Sequence, residues 1–581
     1  MNNEDLSYLF NRIANLMEIM GENRFKILAY QRASEGIKIM TEDLSKMSEE
    51  QLIKLPGIGQ ALAEKIVEYS QTGKLTFLEK LEEEIPPSLI ELLDVPTLGP
   101  KKAALFWKSL GITNLAQLEH AAEQGKLRSL PGVGEKSEQR ILMGIQTLQR
   151  SHKRYPIHEA DAIALDWKSR LEKLKGVQRL EIAGSLRRRK PTIGDLDLVG
   201  AADDHQEVMR FFTSQPEVAE IISQGDLKSS IRLENGLHIQ LWLQPIEKFG
   251  SLLQFVTGSK EHNVRLREYA LKQGFSLSER GFVTKDLKEI LCGQEEVVYT
   301  TLGLPFIPPE MREDHGEIEA AANNALPDLI RLEEIVSDLH VHSHWSDGRA
   351  SLDEMTEKAK SKGLKLIAFT DHTISAPTLD PKDRLSIDRI SARSLAIEKI
   401  RGKAGQDLII LNGIEVDILQ DGRLDFPDEV LAQFDLVVAS IHLEMNQPVE
   451  QITRRLISAI RNPYVDIIGH PSGRELPHSS GRELDWPAIF EAARENQTAL
   501  EINSNPLHLD LDDVRARKAA ESGVLLALNS DAHQIDAMEN LKYGIGTARR
   551  AWLTAERVIN TWPTEKLGSW LKERRSIAKA Q

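Results

Sequence analysis

The feature that most constrains this chain is an alternation that begins at Ile335. Seven short runs rich in β-branched residues are separated by helix-like segments: Ile335 to Leu339, Leu366 to Thr370, Leu408 to Val416, Leu436 to Ser440, Val465 to Ile468, Ala499 to Ile502 and Val524 to Asn529. Strands joined by helical crossovers pair in parallel, because each crossover returns the chain to the same end of the sheet. Seven such units predict a distorted TIM-like (β/α)7 barrel, with all strand C-termini opening on one face. Metal-ligating residue types cluster where those runs end. His340 and His342 follow the first, with Asp347 in the loop beyond, and His372 follows the second. Glu415 lies on the third, His442 follows the fourth, His470 the fifth, and Asp531 with His533 the seventh. A lone histidine at a strand end is usually a satisfied polar group, but nine ligands drawn from six strands and one loop describe a metal centre with room for more than one ion. Imidazole and carboxylate without thiolate favour Mn²⁺, Zn²⁺ or Fe²⁺ over Ca²⁺. His344 is read as solvated or peripheral to the centre, and His478 and His508 as loop residues with no assigned part.

The first 150 residues follow a different rule, an internal repeat. LPGIGQALAEKI (Leu55 to Ile66), VPTLGPKKAALF (Val95 to Phe106) and LPGVGEKSEQRI (Leu130 to Ile141) each pass from an apolar residue and proline through a tight turn into a helix. Glycines at 57, 59, 99, 132 and 134 let the backbone approach a ligand closely, and the free N–H groups of the helix starts point toward the turn. That geometry suits phosphate. The second copy has Thr97 where the others have Gly57 and Gly132, so it is the weakest binder of the three.

Between these regions, Leu180 to Ala183, Leu196 to Val199 and Leu237 to Leu243 are strand-like runs among helices, which predicts a mixed α+β domain. Here AGSLRRRKPTIGDLDLV places a Gly184-Ser185 turn beside Arg187, Arg188 and Arg189, and then Asp195 and Asp197 on one strand. Alternate residues share a strand face, so both carboxylates can hold one Mg²⁺ that also grips a triphosphate. Pro305, Pro308 and Pro309 break regular structure before a polar, acidic stretch, read as a linker over residues 311–335.

At roughly 100–200 residues per domain, 581 residues imply several domains, each able to bury its own core. The formal net charge of −15 argues against a protein that coats nucleic acid by bulk electrostatics, without excluding local sites. The single cysteine, Cys292, excludes an internal disulfide framework and fits a reducing compartment. With no long apolar run and no basic leader at the acidic start, a cytoplasmic location without membrane partners is expected.

These motifs carry a resemblance. DLHVHSHWSDG, with TDH, GIEVD, SIH, GHP and DAH behind it, resembles the PHP (polymerase and histidinol phosphatase) family. That resemblance implies a trinuclear cluster: His340, His342, Glu415 and Asp531 would hold one ion, Glu415, His442 and His470 a second, and Asp347, His372 and His533 a third. It also implies phosphoester hydrolysis, a chemistry that such polynuclear centres support. The Gly-Ser turn followed by Asp-x-Asp resembles the nucleotidyltransferase superfamily. The order NRFKILAYQRAS, LPGIGQALAEKI, the Asp-x-Asp segment and FVTGSKEHNVRLRE resembles family X DNA polymerases. With the barrel appended, nearly the whole chain is similar to bacterial family X polymerases fused to a PHP nuclease. The resemblance implies that Gly184, Ser185 and Arg188 contact nucleotide phosphates, that Gly258 and Asn263 line the nucleotide pocket, and that Arg267 approaches the template. Lys65 matches the lysine that forms a Schiff base with abasic sugar in lyase-active relatives.

Two departures qualify it. The family's third catalytic carboxylate falls on the strand HIQLWLQ, where this chain has Gln240 and no Asp or Glu from His238 to Gln244. Loss of a metal-bridging charge spares nucleotide binding and cripples transfer, by roughly a thousandfold or more. Phe255-Val256 also stands where relatives carry a Tyr-Phe pair. The expected domains are a helical lyase-like domain at 1–82, a fingers-like helix-hairpin-helix domain at 83–152, a palm at 153–245, a thumb at 246–310, the linker, and the PHP barrel at 336–581. The expected activity is metal-dependent 3′→5′ exonucleolysis in DNA repair, with abasic-site incision as an added capacity. An active polymerase with exonuclease for gap filling, and a non-catalytic DNA-end-binding scaffold, remain alternatives. Partners would be DNA and dNTP, and the chain requires no second subunit, so a monomer is expected.

Overall fold

The computed structural model describes every residue except 1, 2, 40–43, 45, 46, 56, 57, 73, 96, 97, 374–384 and 581. Two compact units result, Met1–Lys153 and Arg154–Gln581. Among the described residues no helix is long and apolar enough to cross a membrane.

The first unit is helical around one apolar cluster that includes Phe10, Ile13, Ile37, Leu89, Phe106 and Ile141. The described residues at its three turns share one hydrogen bond. Ile58, Leu98 and Val133 donate their N–H groups to the carbonyls of Leu55, Val95 and Leu130 at 3.2, 3.0 and 3.1 Å. Helices Gln60–Thr72, Pro100–Leu110 and Glu135–His152 follow at once. Each begins after a glycine, Gly59, Gly99 or Gly134, around which a Cβ would meet only open space. Gly132 takes a left-handed φ of 76°, which explains glycine there. Gly57 and Thr97 lie outside the described residues.

In the second unit, a five-stranded sheet contains β1 (Val177–Ile182), β2 (Asp195–Ala202), β3 (Val218–Ser223), β4 (Lys228–Leu233) and β5 (His238–Leu243), in the order β1-β2-β5-β4-β3. Only β2 and β5 pair in parallel, and their register sets Asp197 opposite Gln240. Helix Ile157–Glu172 packs its Ala160, Ala164, Trp167 and Leu171 onto this sheet's apolar cluster. Beyond the sheet, helices Phe249–Thr257, Lys260–Lys272 and Glu295–Thr301 accompany a small antiparallel sheet.

Seven parallel strands follow in sequential order: β6 (Ser337–Val341), β7 (Leu366–Phe369), β8 (Ile409–Asp417), β9 (Leu436–Ser440), β10 (Ile467–Ile468), β11 (Ala499–Asn503) and β12 (Leu526–Asn529). The sheet closes where Val341 bridges Ala532. Side chains alternate: Ile367, Phe369, Val437 and Ala439 face the outer helices. Leu366, Ala368, Leu436 and Val438 face inward, where Trp562, Leu567, Trp570 and Leu571 of the C-terminal segment complete the cluster. That segment is tied to the strands' N-terminal ends, since Arg574 donates to Asp466 at 3.1 Å and Asn560 to the Ser337 carbonyl at 3.0 Å. With one end plugged by tryptophans, polar side chains are left to the other.

The expected linker at 311–335 is instead part of the packed structure. Arg312 is 0% exposed and Glu317 1%. Arg312 donates to Glu295 at 2.6 Å and Glu317 accepts from His262 at 2.7 Å. The polar residues at the start of this stretch are buried and ion-paired. Barrel loops also pack on the palm: Leu476, Leu509 and Tyr543 join its apolar cluster, and Lys542 pairs with Asp161 at 3.2 Å.

Candidate metal centre and nucleotide cleft

The nine expected ligands converge at the C-terminal ends of the barrel strands, around Glu415. Its Oε2 lies 3.2 Å from His340 Nε2, 3.5 Å from His342 Nε2 and 2.9 Å from His372 Nδ1. Its Oε1 lies 3.2 Å from His470 Nε2 and 3.6 Å from His442 Nε2. Asp531 stands 3.1 Å from His342 Nε2, and Asp347 stands 3.3 Å from His533 Nε2. Three sets offer ligand atoms mutually within 4.8 Å: His342, Asp347, His372 and His533; His340, His342 and Asp531; and His372, Glu415 and His442. His342 and His372 thus each belong to two sets, where the resemblance assigned each to one ion.

Several observations fit metal at this place. Among the described residues, His340 Nε2, both ring nitrogens of His342, and Glu415 Oε2 are buried without a hydrogen-bond partner, an arrangement that is costly unless a cation satisfies them. His470 and Asp531 hold left-handed backbone, at φ 26° and 51°, a strain for non-glycine residues of the kind found at functional sites. Burial opposes charge throughout, yet the imidazoles around them hold Glu415 and Asp531 well below the usual carboxylate range. In return the carboxylates push His470 and His533 up to about 9 against burial. His342 goes the other way, down to about 4, because burial and the neighbouring His533 and His372 disfavour its charge.

A supporting set of acids, which the sequence reading passed over, orients the histidines. Glu501 on β11, 0% exposed, accepts from His340 Nδ1 at 2.8 Å, Asn529 Nδ2 at 2.9 Å and the His470 N–H at 2.8 Å. Asp417, two residues after Glu415 on β8, accepts from His442 Nδ1 at 2.9 Å. Asn503 donates to Asp531 at 2.9 Å. Such partners fix the ring tautomer and leave the other nitrogen free for metal. The sixth strand gave no ligand in the sequence reading, and that gap was the available signal: a strand ending in the mouth with Glu and Asn must serve it otherwise. His344 is exposed, apart from the cluster. His508, read as a loop residue, lies at the mouth with its ring 6.5 Å from that of His470.

On the palm, a second cleft of 500 Å³ is lined by Gly184, Ser185, Arg188, Asp195, Asp197, Gln240, Gly258, Asn263 and Arg267 among others. The fold therefore brings all six expected nucleotide contacts beside the carboxylate pair. Gly184 has φ 60°, and a Cβ there would collide with the Asp197 carboxylate. Burial and the nearby Asp195 push the Asp197 carboxyl up to about 7. Gln240, opposite Asp197, donates its amide to Asp195 Oδ2 at 3.0 Å. An N–H thus meets the oxygen that a shared cation would need. Arg188 donates to Glu313 at 2.9 Å and to the Thr257 carbonyl at 2.5 Å. Asn263 is held by the Phe255 carbonyl at 2.7 Å and Gln254 at 2.8 Å, and Arg267 lies over the Phe255 ring at 5.2 Å. In the first unit, half-buried Lys65 donates to the Ala61 carbonyl at 3.2 Å and stands 5.0 Å over the Phe77 ring.

Comparison with known proteins agrees with this layout. Models of a helix-hairpin-helix domain and a SAM-like helix-hairpin-helix tandem match residues 1–75 and 89–147. The DNA polymerase beta thumb matches 252–313 and the PHP domain 338–505. The thumb match runs past the expected boundary into the stretch read as linker. Barrel-only relatives include probable phosphatases of Thermoanaerobacter sp. (strain X514), 32% identical over 42% of this chain and 96% of that protein, and of Caldanaerobacter subterraneus subsp. tengcongensis, 34% identical over 42% and 92%. A DNA polymerase/3′-5′ exonuclease PolX of Bacillus subtilis (strain 168) is 38% identical over 98% of this chain and 100% of its own length. Similarity of that extent, beside the helix-hairpin-helix, thumb and PHP matches along the chain, means that the chain belongs to the PolX family.

Proposed function

We propose that this protein is a metal-dependent DNA 3′→5′ exonuclease whose working active site is the barrel centre, and that its palm holds a DNA end or nucleotide without efficient transfer. One observation carries the reading. The barrel presents nine ligands with their orienting acids, whereas the palm offers two carboxylates and an amide that donates to one of them. Mn²⁺, Zn²⁺ or Fe²⁺ bound by the barrel residues would polarise a phosphodiester and activate water. The chain's own residues do the rest. Glu501 and Asp417 hold His340 and His442 with one nitrogen turned inward, and the buried walls keep the ligand set from relaxing. The three turns of the first unit grip backbone phosphate through N–H groups without reading sequence. DNA is therefore the substrate class, in repair, and the chain acts in the cytoplasm as a monomer. Abasic-site incision by the same centre, and lyase chemistry at Lys65, are extensions of this reading.

The test is a labelled primer-template with Mn²⁺, with and without dNTPs. Degradation from the 3′ end without extension is expected; robust extension with no degradation overturns the ordering. A second reading, a slow polymerase that fills gaps beside the nuclease, is favoured by the cleft's otherwise full set of expected contacts. Gln240→Asp separates the two, because a reading in which position 240 is immaterial predicts no gain in incorporation. Absence of bound transition metal and of Mn²⁺-dependent hydrolysis would favour a scaffold.

A further inference from the structure

The barrel cluster opens on two sides. Asp531 and His533 line both a cavity of 290 Å³ and a cleft of 750 Å³, and residues 505–508 contribute to the walls of each. The two differ in chemistry. The smaller is walled by the apolar Ile441 and Met445 beside Arg474, Glu475 and His508, whose Nδ1 is 2.6 Å from the Arg474 carbonyl. The larger carries Arg349, Asn505, Gln534 and Asn540, and a single acid, Asp536, besides the ligands Asp347 and Asp531. Its far wall includes His158 on the palm helix Ile157–Glu172. Arg349 is exposed and forms no ion pair among the described residues, while its backbone is fixed by an N–H donated to the His533 carbonyl at 2.7 Å. His158 Nδ1 is buried without a hydrogen-bond partner among the described residues.

Resting on the exonuclease reading above, we infer that the scissile phosphate sits between two subsites: the terminal nucleoside enters the small apolar-walled cavity, and the remaining strand lies in the polar cleft against the palm, positioned by Arg349 and His158. In hydrolysis the oxygen of water bonds to phosphorus and the P–O3′ bond breaks. The proton passes to the departing 3′ oxygen, so a nucleoside monophosphate leaves on one side and a strand shortened by one unit on the other. A guanidinium without an ion pair among the described residues, with amides beside it, suits a sugar–phosphate chain, and a cavity that joins two aliphatic side chains to an imidazole and hydrogen-bonding groups suits a base and sugar. The palm therefore completes the nuclease site.

Three esters dissect the assignment: a single-stranded DNA, the p-nitrophenyl ester of thymidine 5′-monophosphate, and bis(p-nitrophenyl) phosphate, each with full-length protein and Mn²⁺. DNA fills both subsites, the thymidine ester only the small one, and the bis ester neither. Arg349→Ala should lower kcat/KM on DNA by about tenfold, through KM, as expected for one lost charge-assisted phosphate contact. It should leave both small esters and the bound metal content unchanged; His158→Ala should act in the same direction. Met445→Trp should slow DNA and the thymidine ester while sparing the bis ester, which also reports that the centre is folded. Should that variant not fold, Met445→Glu tests the same wall by charge. Equal loss on all three esters, or undiminished DNA cleavage by Arg349→Ala, overturns the subsite assignment. If the unaltered protein hydrolyses none of the three, the exonuclease reading itself fails.

Discussion

The barrel centre and the palm cleft place carboxylates on strands in the same way and arrive at opposite electrostatics. Glu415 and Asp417 alternate on β8 as Asp195 and Asp197 alternate on β2. In the barrel, Glu415 faces a ring of imidazoles and is held well below the usual range, while Asp417 turns to orient His442. In the palm, Asp197 faces another acid in a buried setting and is pushed up to about 7. The neighbouring strand then supplies Gln240, not a third acid. The strands alternate alike in both; the palm pair meets an amide across the ladder, where the barrel carboxylate meets imidazoles. The barrel commits its acids twice, once to the centre and once to the residues that aim at it.

The comparison breaks most readily at the barrel. His340→Ala together with His342→Ala should reduce Mn²⁺-dependent degradation to background and lower the metal content, with DNA binding measured by anisotropy unchanged. Persistent degradation would move the nuclease elsewhere. Next comes Gln240→Asp, which returns a charge opposite Asp197 and removes the amide from Asp195. We expect a gain in dNTP incorporation of roughly a thousandfold in primer extension, and no gain would show that position 240 is not what distinguishes the sites. A smaller effect is expected for Glu501→Gln, about 10–100-fold in metal affinity or turnover. Glu501 accepts from His340, Asn529 and the His470 N–H. An amide NH₂ would face one of those donors and release the ring it holds. Metal content by atomic emission, read beside turnover, distinguishes this from misfolding.

The difference between what was and was not legible in the sequence follows the same logic. His340, His372, His442 and His470 were readable because strand alternation tells where strands end, and histidine is rare enough for repetition there to signify. The six expected nucleotide contacts come from the resemblance to family X polymerases, and one cleft collects those residues. Glu501 and Asp417 escaped notice because single acids on strands are indistinguishable from surface charge until their partners are known. Glu313 and Arg312 misled more strongly. A run of charged residues after three prolines has the composition of a tether, but here Arg312, Glu313 and Glu317 have buried partners contributed by other segments: Glu313 bonds Arg188 at 2.9 Å and Arg550 at 2.8 Å. Pairing between residues 125 and 237 positions apart leaves no local trace. His508 was unreadable for a related reason, since only tertiary packing brings its loop to the metal mouth.

Buried pairing of the same kind gives the last prediction, read in stability and not in turnover, and it tests whether the thumb side of the palm rests on charge as the barrel does. Glu295 is 3% exposed. Burial alone would raise its carboxyl, but Arg312 and Arg187, at 2.6 Å each, outweigh burial and hold it down to about 2. A folded value below the unfolded value near 4.5 means that the carboxylate stabilises the fold above about pH 5. That contribution is lost as pH falls toward 2. The shift corresponds to on the order of 3 kcal/mol. Glu295→Gln should therefore lower the urea midpoint markedly at pH 7, since it strands the fully buried Arg312 without its counter-charge. The gap between variant and parent should then narrow as pH is lowered from 5 to 3, because protonation removes from the parent what the substitution has already removed. A gap independent of pH would mean that Glu295 acts through shape and hydrogen bonding alone.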